Sequence, residues 1–356
     1  MKIRQKTNPK VVLAALPLLL LTFFSCTDSA LDPVFYALEN EKTLIDDRGF
    51  PDDAVVQRIV RDGTTGRFFA AAGSLYTRTT GNWSRIAPPQ SDALCTNVEI
   101  FDPGGGAQLL AAYISGNTGL GLWQRSADLT DSWSRVSPTS LDGHLKVGLL
   151  KTANSNLFLA ALPSGSSDYT LYYSIDLSNF TNVLTVPVAS GPINDIEYDG
   201  INYWVTAGST LYWDEDPPVG PTGLTAYNAP GQPTTSGYFR GLYSSAGTLY
   251  LAALGKFYKR TSGAWDSGTP VAAIDGKNVQ FTCFAEQVGE VYAGTAMHGY
   301  YVTSTLTRSP SYTISELYNG AILTMLSDGT SLFIGTYGSG LWRGDPGAGT
   351  WNWKRE

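Results

Sequence analysis

The sequence predicts an all-β ring of repeated four-stranded units, a β-propeller of seven blades behind an N-terminal export segment. Three observations carry this. One phrase recurs seven times: apolar residues, then small ones, a short gap, and an aromatic or Leu. It begins at Phe68 (FFAAAGSLY), Leu109, Leu157, Tyr203, Leu249, Val291 and Leu332 (LFIGTYGSGLW). The copies lie about 41–48 residues apart, the repeat length of a four-stranded blade. Composition agrees: 38 Gly, 20 Tyr and 9 Trp with only 15% charged residues describe a turn-rich, aromatic-rich β chain. Beyond the N-terminus no long stretch has helical apolar periodicity. Rings of six or eight blades are compatible with the same spacing.

The last repeat shows how one blade is built. Ala321 to Asp328 reads as the innermost strand, and Asp328-Gly329 supplies a tight hairpin turn. SLFIGTYG, GLWRG and TWNWKRE follow as the second, third and fourth strands. Small residues of the second strands (Ala71, Ala112, Ala160, Ala253, Gly294, Gly335) let wedge-shaped neighbours approach closely. The aromatics after them (Tyr76, Trp123, Tyr172, Tyr212, Tyr258, Tyr301, Trp342) fill the wider outer gaps. A lone blade cannot bury both faces, whereas a ring of blades buries them and shields most strand edges. Two routes to ring closure stay open. WNWKRE supplies the last outer strand, or VFYALENEK (Val34 to Lys42) adds an N-terminal clasp.

The N-terminus reads as an address. MKIRQKTNPK carries four positive charges and no acid, and an apolar run of about 14 residues follows. That run is short for a membrane span, which needs about 20 residues, and suits a signal-peptide core. Ser25-Cys26 then precedes the polar TDSALDP. A small residue before a Cys at this point resembles the bacterial lipoprotein processing site. The resemblance implies cleavage before Cys26 and diacylglyceryl attachment to it. Phe23 and Phe24 depart from the usual box, and relaxed boxes of this kind look like those of spirochaetes or Bacteroidetes. The alternative is an ordinary secretory signal with an incidental Cys. Thr27 follows Cys26, whereas the inner-membrane retention signal of enterobacteria has Asp there, so the outer membrane is favoured. The domain plan is thus residues 1–25 as signal peptide, 26–53 as a lipidated polar tether, and 54–356 as the propeller. Stable anchoring takes at least two acyl chains, each buried methylene contributing about 0.8 kcal/mol.

The formal net charge is −7, and removing Lys2, Arg4, Lys6 and Lys10 with the export segment makes it about −11. An acidic surface disfavours nucleic acid and bare anionic lipid, which call for clustered Lys and Arg. Apart from Cys26 there are two cysteines, Cys95 and Cys283, near the first strands of the second and sixth repeats. Those repeats are not neighbours in a ring of seven, and a disulfide needs Cα atoms within about 7 Å, so both are expected to stay reduced. The two histidines, His144 and His298, sit in different repeats with no metal-ligand spacing.

GTYGSGLWR resembles the blade phrase of sialidase-like and two-component-regulator-type propellers. The second repeat also resembles the sialidase Asp box: Ser126, Asp128 and Trp133 match, with Thr130 in place of Gly. Ser174 and Asp176 with Phe180 form a weaker copy, and Asp345, Gly347 and Trp351 one with altered spacing. The box is a structural turn, so it implies the fold and no activity. A sialidase also needs an arginine cluster, a Tyr nucleophile with a Glu partner and an acid/base Asp. The FRIP-type motif is absent, and Tyr238 to Gly241 (YFRG) is a poor substitute. The longest irregular stretch, Trp213 to Gly237, holds an acidic triplet (Asp214, Glu215, Asp216) and Tyr227. It reads as an inter-blade connection containing a fourth strand, with a recognition loop as the rival. The triplet lacks the spacing of a calcium loop, and no Gly-rich phosphate loop opens a helix.

No catalytic, cofactor-binding or metal-binding residue emerges, and the one assigned site is lipidation at Cys26. The expectation is a monomeric, non-enzymatic binding or scaffold protein of the bacterial envelope. It would be held to the membrane by lipid and present its loops to a protein or glycan, without a cofactor. A carbohydrate-active enzyme or lectin, and an accessory subunit of an envelope assembly complex, are the alternatives.

Overall fold

The computed structural model describes residues 48–138, 141, 144–214, 220–309, 314–347 and 351–356. The signal segment, Cys26 and the candidate clasp strand Val34 to Lys42 lie outside them. Ile45 to Glu356 form one compact unit, and within it seven antiparallel meanders stand in a ring as seven blades. Their innermost strands are Arg58–Arg61, Leu94–Phe101, Lys146–Ala153, Ile193–Tyr198, Leu242–Ser245, Phe281–Gln287 and Ile322–Ser327.

Blade 7 follows the expected plan. Ile322–Ser327, Leu332–Thr336, Leu341–Pro346 and Trp351–Arg355 pair in sequence order. Asp328 makes the first turn by accepting the backbone N–H groups of Thr330 (2.8 Å) and Ser331 (2.6 Å), and Gly329 takes the left-handed φ of 87° that the turn requires. Blade 5 departs from the plan. Its third strand, Lys256–Thr261, pairs with two short segments, Ala264–Trp265 and Thr269–Pro270. Asp266 bridges the break by accepting the N–H groups of Lys259 (3.0 Å) and Gly268 (2.9 Å).

The core lies between blades. Val60, Phe69 and Ala71 of blade 1 pack with Val98, Leu109 and Ala111 of blade 2. Trp204 of blade 4 packs with Leu249 and Leu251 of blade 5. The small residues of the second strands explain the close approach. A Cβ on Gly294 would come within 2.8 Å of Ile322 in blade 7, and one on Gly335 within 2.7 Å of Val56 at the start of blade 1. Ala253 lies one residue beyond its strand, Thr248–Ala252, and is still fully buried.

The ring closes by the contact that joins its interior blades. At several boundaries the chain entering a blade donates a backbone N–H to the second-strand end of the preceding one. Cys95 donates to Gly73 (2.8 Å), Phe239 to Gly208 (2.8 Å), and Val56 to Thr336 (2.9 Å) across the seam between blades 1 and 7. Blade 7 is completed by Trp351–Arg355, the first of the two closure routes.

Candidate functional site

The inner strands surround a central channel, and where they begin it widens into a cavity of about 540 Å³. Four of these strands carry charged residues that meet at the axis. Arg58 of blade 1 donates to Glu99 of blade 2 at 2.6 Å. Lys151 of blade 3 lies 2.8 Å from Asp195 and 3.1 Å from Glu197 of blade 4. Asp195 also accepts the backbone N–H groups of Ile196 (2.8 Å) and, across the blade boundary, Leu242 (2.7 Å).

A charge removed from water is tolerated when its partners replace hydration. Burial works against the Lys151 ammonium, but Asp195 and Glu197 outweigh it and its pKa is raised. Burial likewise opposes the Arg58 guanidinium, and Glu99 holds it charged with a raised pKa. Burial pushes the Glu197 carboxyl up; Lys151 only partly offsets this, because it is shared with Asp195, whose charge adds to the rise. Among the three carboxylates Glu197 is thus the one that burial biases toward its protonated form.

The mouth is built differently. Tyr238 and Arg240 lie on the connection into blade 5. Gly191, with φ 102°, approaches Gly208 so closely that a Cβ would meet its Cα at 2.9 Å, and the Tyr238 ring rests against Gly191. The Arg240 guanidinium stands 5.4 Å from the Tyr238 ring centroid and donates to Asn194 Oδ1 at 3.2 Å. Asn194 Nδ2 in turn donates to the Phe239 carbonyl at 2.7 Å. Gln280, from blade 6, completes this side by donating to the Phe281 carbonyl at 2.9 Å.

The residues singled out in the sequence mostly serve the fold. The Asp box forms as a turn: Asp128 accepts the Ser126 hydroxyl (2.5 Å) and the Thr130 hydroxyl (2.8 Å) and N–H (3.0 Å). The Ser126 and Thr130 hydroxyls hold its pKa down at about 2. Trp133 donates to the Ala87 carbonyl at 2.9 Å and so ties blade 2 to blade 1. Asp176 repeats the turn through the N–H groups of Ser178 (2.9 Å) and Asn179 (3.0 Å). Asp345 instead pairs with Arg343 (3.2 Å) and accepts the Ser331 hydroxyl (2.7 Å).

Within the Trp213 to Gly237 stretch, Thr225–Ala226 is the fourth strand of blade 4, and Tyr227 packs on Trp204 and Trp213 at 5.0 and 5.2 Å. Asp214 accepts the N–H of Thr222 at 2.6 Å; Glu215 and Asp216 lie outside the described residues. Cys95 and Cys283 are free thiols of blades 2 and 6, and burial pushes both up to about 12. His144 borders a small polar hollow beside Lys146 and Ser164. His298 is held by its main chain, donating its N–H to Thr295 Oγ1 (2.9 Å) and accepting Arg308 Nε (2.9 Å). Among the described residues no three His, Cys, Asp or Glu are arranged to hold a metal ion, and no helix is long and apolar enough to cross a membrane.

The channel cluster was missed in the sequence because its members come from separate repeats and share no motif. The available signal was the set of charges interleaved with apolar residues in first strands, as in RIVR, KVGLLKTA and INDIEY.

No protein-family model matches the chain, and no curated protein matches it. Solved structures do match. The extracellular domain of the candidate one-component system BT4673 from B. thetaiotaomicron is 16% identical with a TM-score of 0.61, covering 82% of this chain and 38% of that one. That of the candidate hybrid two-component system BT3049 from the same organism is 12% identical with a TM-score of 0.56, covering 81% and 39%. The chain thus spans well under half the length of these neighbours. A catalytically inactive virginiamycin B lyase from Staphylococcus aureus, crystallised with quinupristin, is 10% identical with a TM-score of 0.56, covering 82% and 95%. At these identities the likeness establishes the propeller fold alone. That fold occurs both in extracellular domains of such systems and in an enzyme, so function rests on the site.

Proposed function

We propose that the chain is a non-enzymatic binding or sensing protein of the bacterial envelope, anchored by lipid on Cys26, that engages its partner at the channel mouth. The observation that carries this reading is the division of charge in the cavity. Glu99, Asp195 and Glu197 are each held by a cation, while Arg240 faces the mouth with only an amide and an aromatic ring beside it. Such a site keeps its carboxylates in ion pairs and leaves one guanidinium available for recognition. The extracellular sensor domains among the structural neighbours lend the same reading support.

The anchor is tested by metabolic labelling with a clickable fatty acid: label on the parent and none on Cys26→Ser is expected, and unlabelled parent protein removes the anchor. The mouth is tested by photo-cross-linking in cells. Tyr238, Met297 and Tyr337 are exposed in connections at the mouth, and Ile201 and Val288 in turns at the opposite end. Cross-links from the first group to one stoichiometric envelope protein or to glycan are expected. Cross-links from the second group alone would move the working face, and turnover of a glycan panel would replace the reading with an enzyme.

The second reading, a lectin or carbohydrate-active enzyme, is favoured by one fact. Arginines and carboxylates do converge on one cavity, lined by Arg58, Arg240, Asp195 and Glu197, with Glu99 paired to Arg58 beside it. The ion pairing of all three carboxylates favours a lectin over a hydrolase.

A further inference from the structure

We propose that the channel mouth binds a small monoanionic ring compound, a carboxylated sugar or similar cyclic carboxylic acid, with its carboxylate on Arg240 and its ring against Tyr238. This rests on the reading that the mouth is the binding face and names the class of ligand.

The cavity holds three cations, and two are committed. Arg58 is spent on Glu99 and Lys151 on Asp195 and Glu197. No carboxylate among the described residues lies within ion-pair distance of Arg240. Its guanidinium is nevertheless held in place. Asn194 accepts one N–H at 3.2 Å and is itself fixed by the Phe239 carbonyl at 2.7 Å, and Tyr238 lies 5.4 Å away. A guanidinium has five N–H donors in a planar fork matched to a carboxylate, and one is in use. The fork is therefore pre-organised with donors to spare, and ordering it costs a ligand little.

Charge sets the valence. One uncommitted cation in a chain of net charge −7 suits a single carboxylate. It does not suit a polyanion or a phosphate dianion, which need several cations or a helix N-terminus. Size sets the scale: about 540 Å³ falls within the range of about 300–1,000 Å³ that holds small molecules. Tyr238 sets the shape. It is 42% exposed at the rim of the cavity rather than in its lining, and its exposed edge beside the guanidinium gives a ring a place to lie while its acid reaches the fork. The same cavity is lined by Thr282, whose hydroxyl donates to the Ile322 carbonyl at 2.7 Å and keeps its acceptor lone pairs, and by the carboxylates paired to Lys151, which can accept from ring hydroxyls.

The test is calorimetric titration of the purified protein with D-glucuronate, D-galacturonate, D-glucose and glucose 6-sulfate. A uronate is expected to bind at about millimolar affinity or tighter, with glucose weaker by about tenfold or more. Arg240→Gln should lose about tenfold, and Arg240→Lys, which keeps the charge without the fork, should fall between. Tyr238→Ala provides a second variant on an exposed residue and should also weaken binding. Thermal midpoints close to the parent's certify that the variants are folded. Equal binding of uronate and glucose, preference for the sulfate ester, full affinity in Arg240→Gln, or no uronate binding would each overturn the proposal. If uronates fail while cross-links still emanate from Tyr238, the ligand class falls and the binding reading stands; if neither appears, both fall.

Discussion

The carboxylate of Glu356 is buried against the guanidinium of Arg78, joining the last strand of blade 7 to the third strand of blade 1. Trp83 Nε1 donates to the same carboxylate at 3.0 Å, and Arg343 lies 3.3 Å from its other oxygen. Arg78 is further enclosed by Phe68, Trp83 and Phe333, with ring centroids 5.1–5.7 Å away. A polar knot in a dry aromatic box thus reinforces the seam of the ring. Removing one partner strands the others without water, so Glu356→Ala should cost about 3–5 kcal/mol. Urea unfolding measures this. A loss below about 1 kcal/mol would show that apolar packing alone holds the seam.

Gly335 tests that packing at the same seam. A Cβ there would stand 2.6 Å from Thr324 Cγ2 and 2.7 Å from Val56 Cγ1. Gly335→Ala should therefore destabilise by about 1–3 kcal/mol through overpacking. Gly148→Ala is the control, because its Cβ would meet only the Ala160 carbonyl at 3.9 Å; its change should stay within about 0.5 kcal/mol. Equal midpoints for the two variants would contradict the close-approach role of the second-strand glycine.

Lys151→Met should leave Asp195 and Glu197 facing each other without their ion-pair partner and destabilise the fold by about 3–5 kcal/mol at neutral pH. The deficit should shrink on acidification. Burial already raises the Glu197 pKa, so the folded protein holds that proton more tightly than the unfolded chain. The resulting stabilisation is full at low pH and fades as pH climbs from the ordinary carboxylate range through the raised pKa. Thermal melts of parent and variant across pH 4 to 8 measure it, and a pH-independent difference would argue against the shared-cation arrangement.

Asp128 should titrate near pH 2 because the Ser126 and Thr130 hydroxyls bond its ionised form. With a folded pKa below the unfolded one, its contribution to stability is complete above the ordinary carboxylate pKa and disappears as pH falls toward about 2. Carboxyl NMR of parent and Ser126→Ala follows this directly. The variant should move toward the ordinary Asp value, and an unmoved titration would mean that the hydroxyl is not the cause.

Much of the fold was legible in sequence because a propeller is written locally. Each blade closes its own hairpins, so Asp328-Gly329 and the Ser126 to Trp133 box form turns where the sequence predicts them. The alternation of small residues and aromatics also survived, since wedge-shaped blades demand a narrow inner and a wide outer gap wherever they meet.

The channel and the seam were decided only by closure. Arg58, Glu99, Lys151, Asp195 and Glu197 belong to four blades, and their pairing depends on ring radius and blade rotation, which no short segment encodes. Glu356 and Arg78 lie at opposite ends of the propeller sequence, and only a ring of seven brings them together. By itself the sequence settled repeat, strand order and turn chemistry, because those depend on neighbours along the chain. The tertiary structure decided which charges cancel and which one, on Arg240, is left facing the mouth, because that depends on neighbours across the axis.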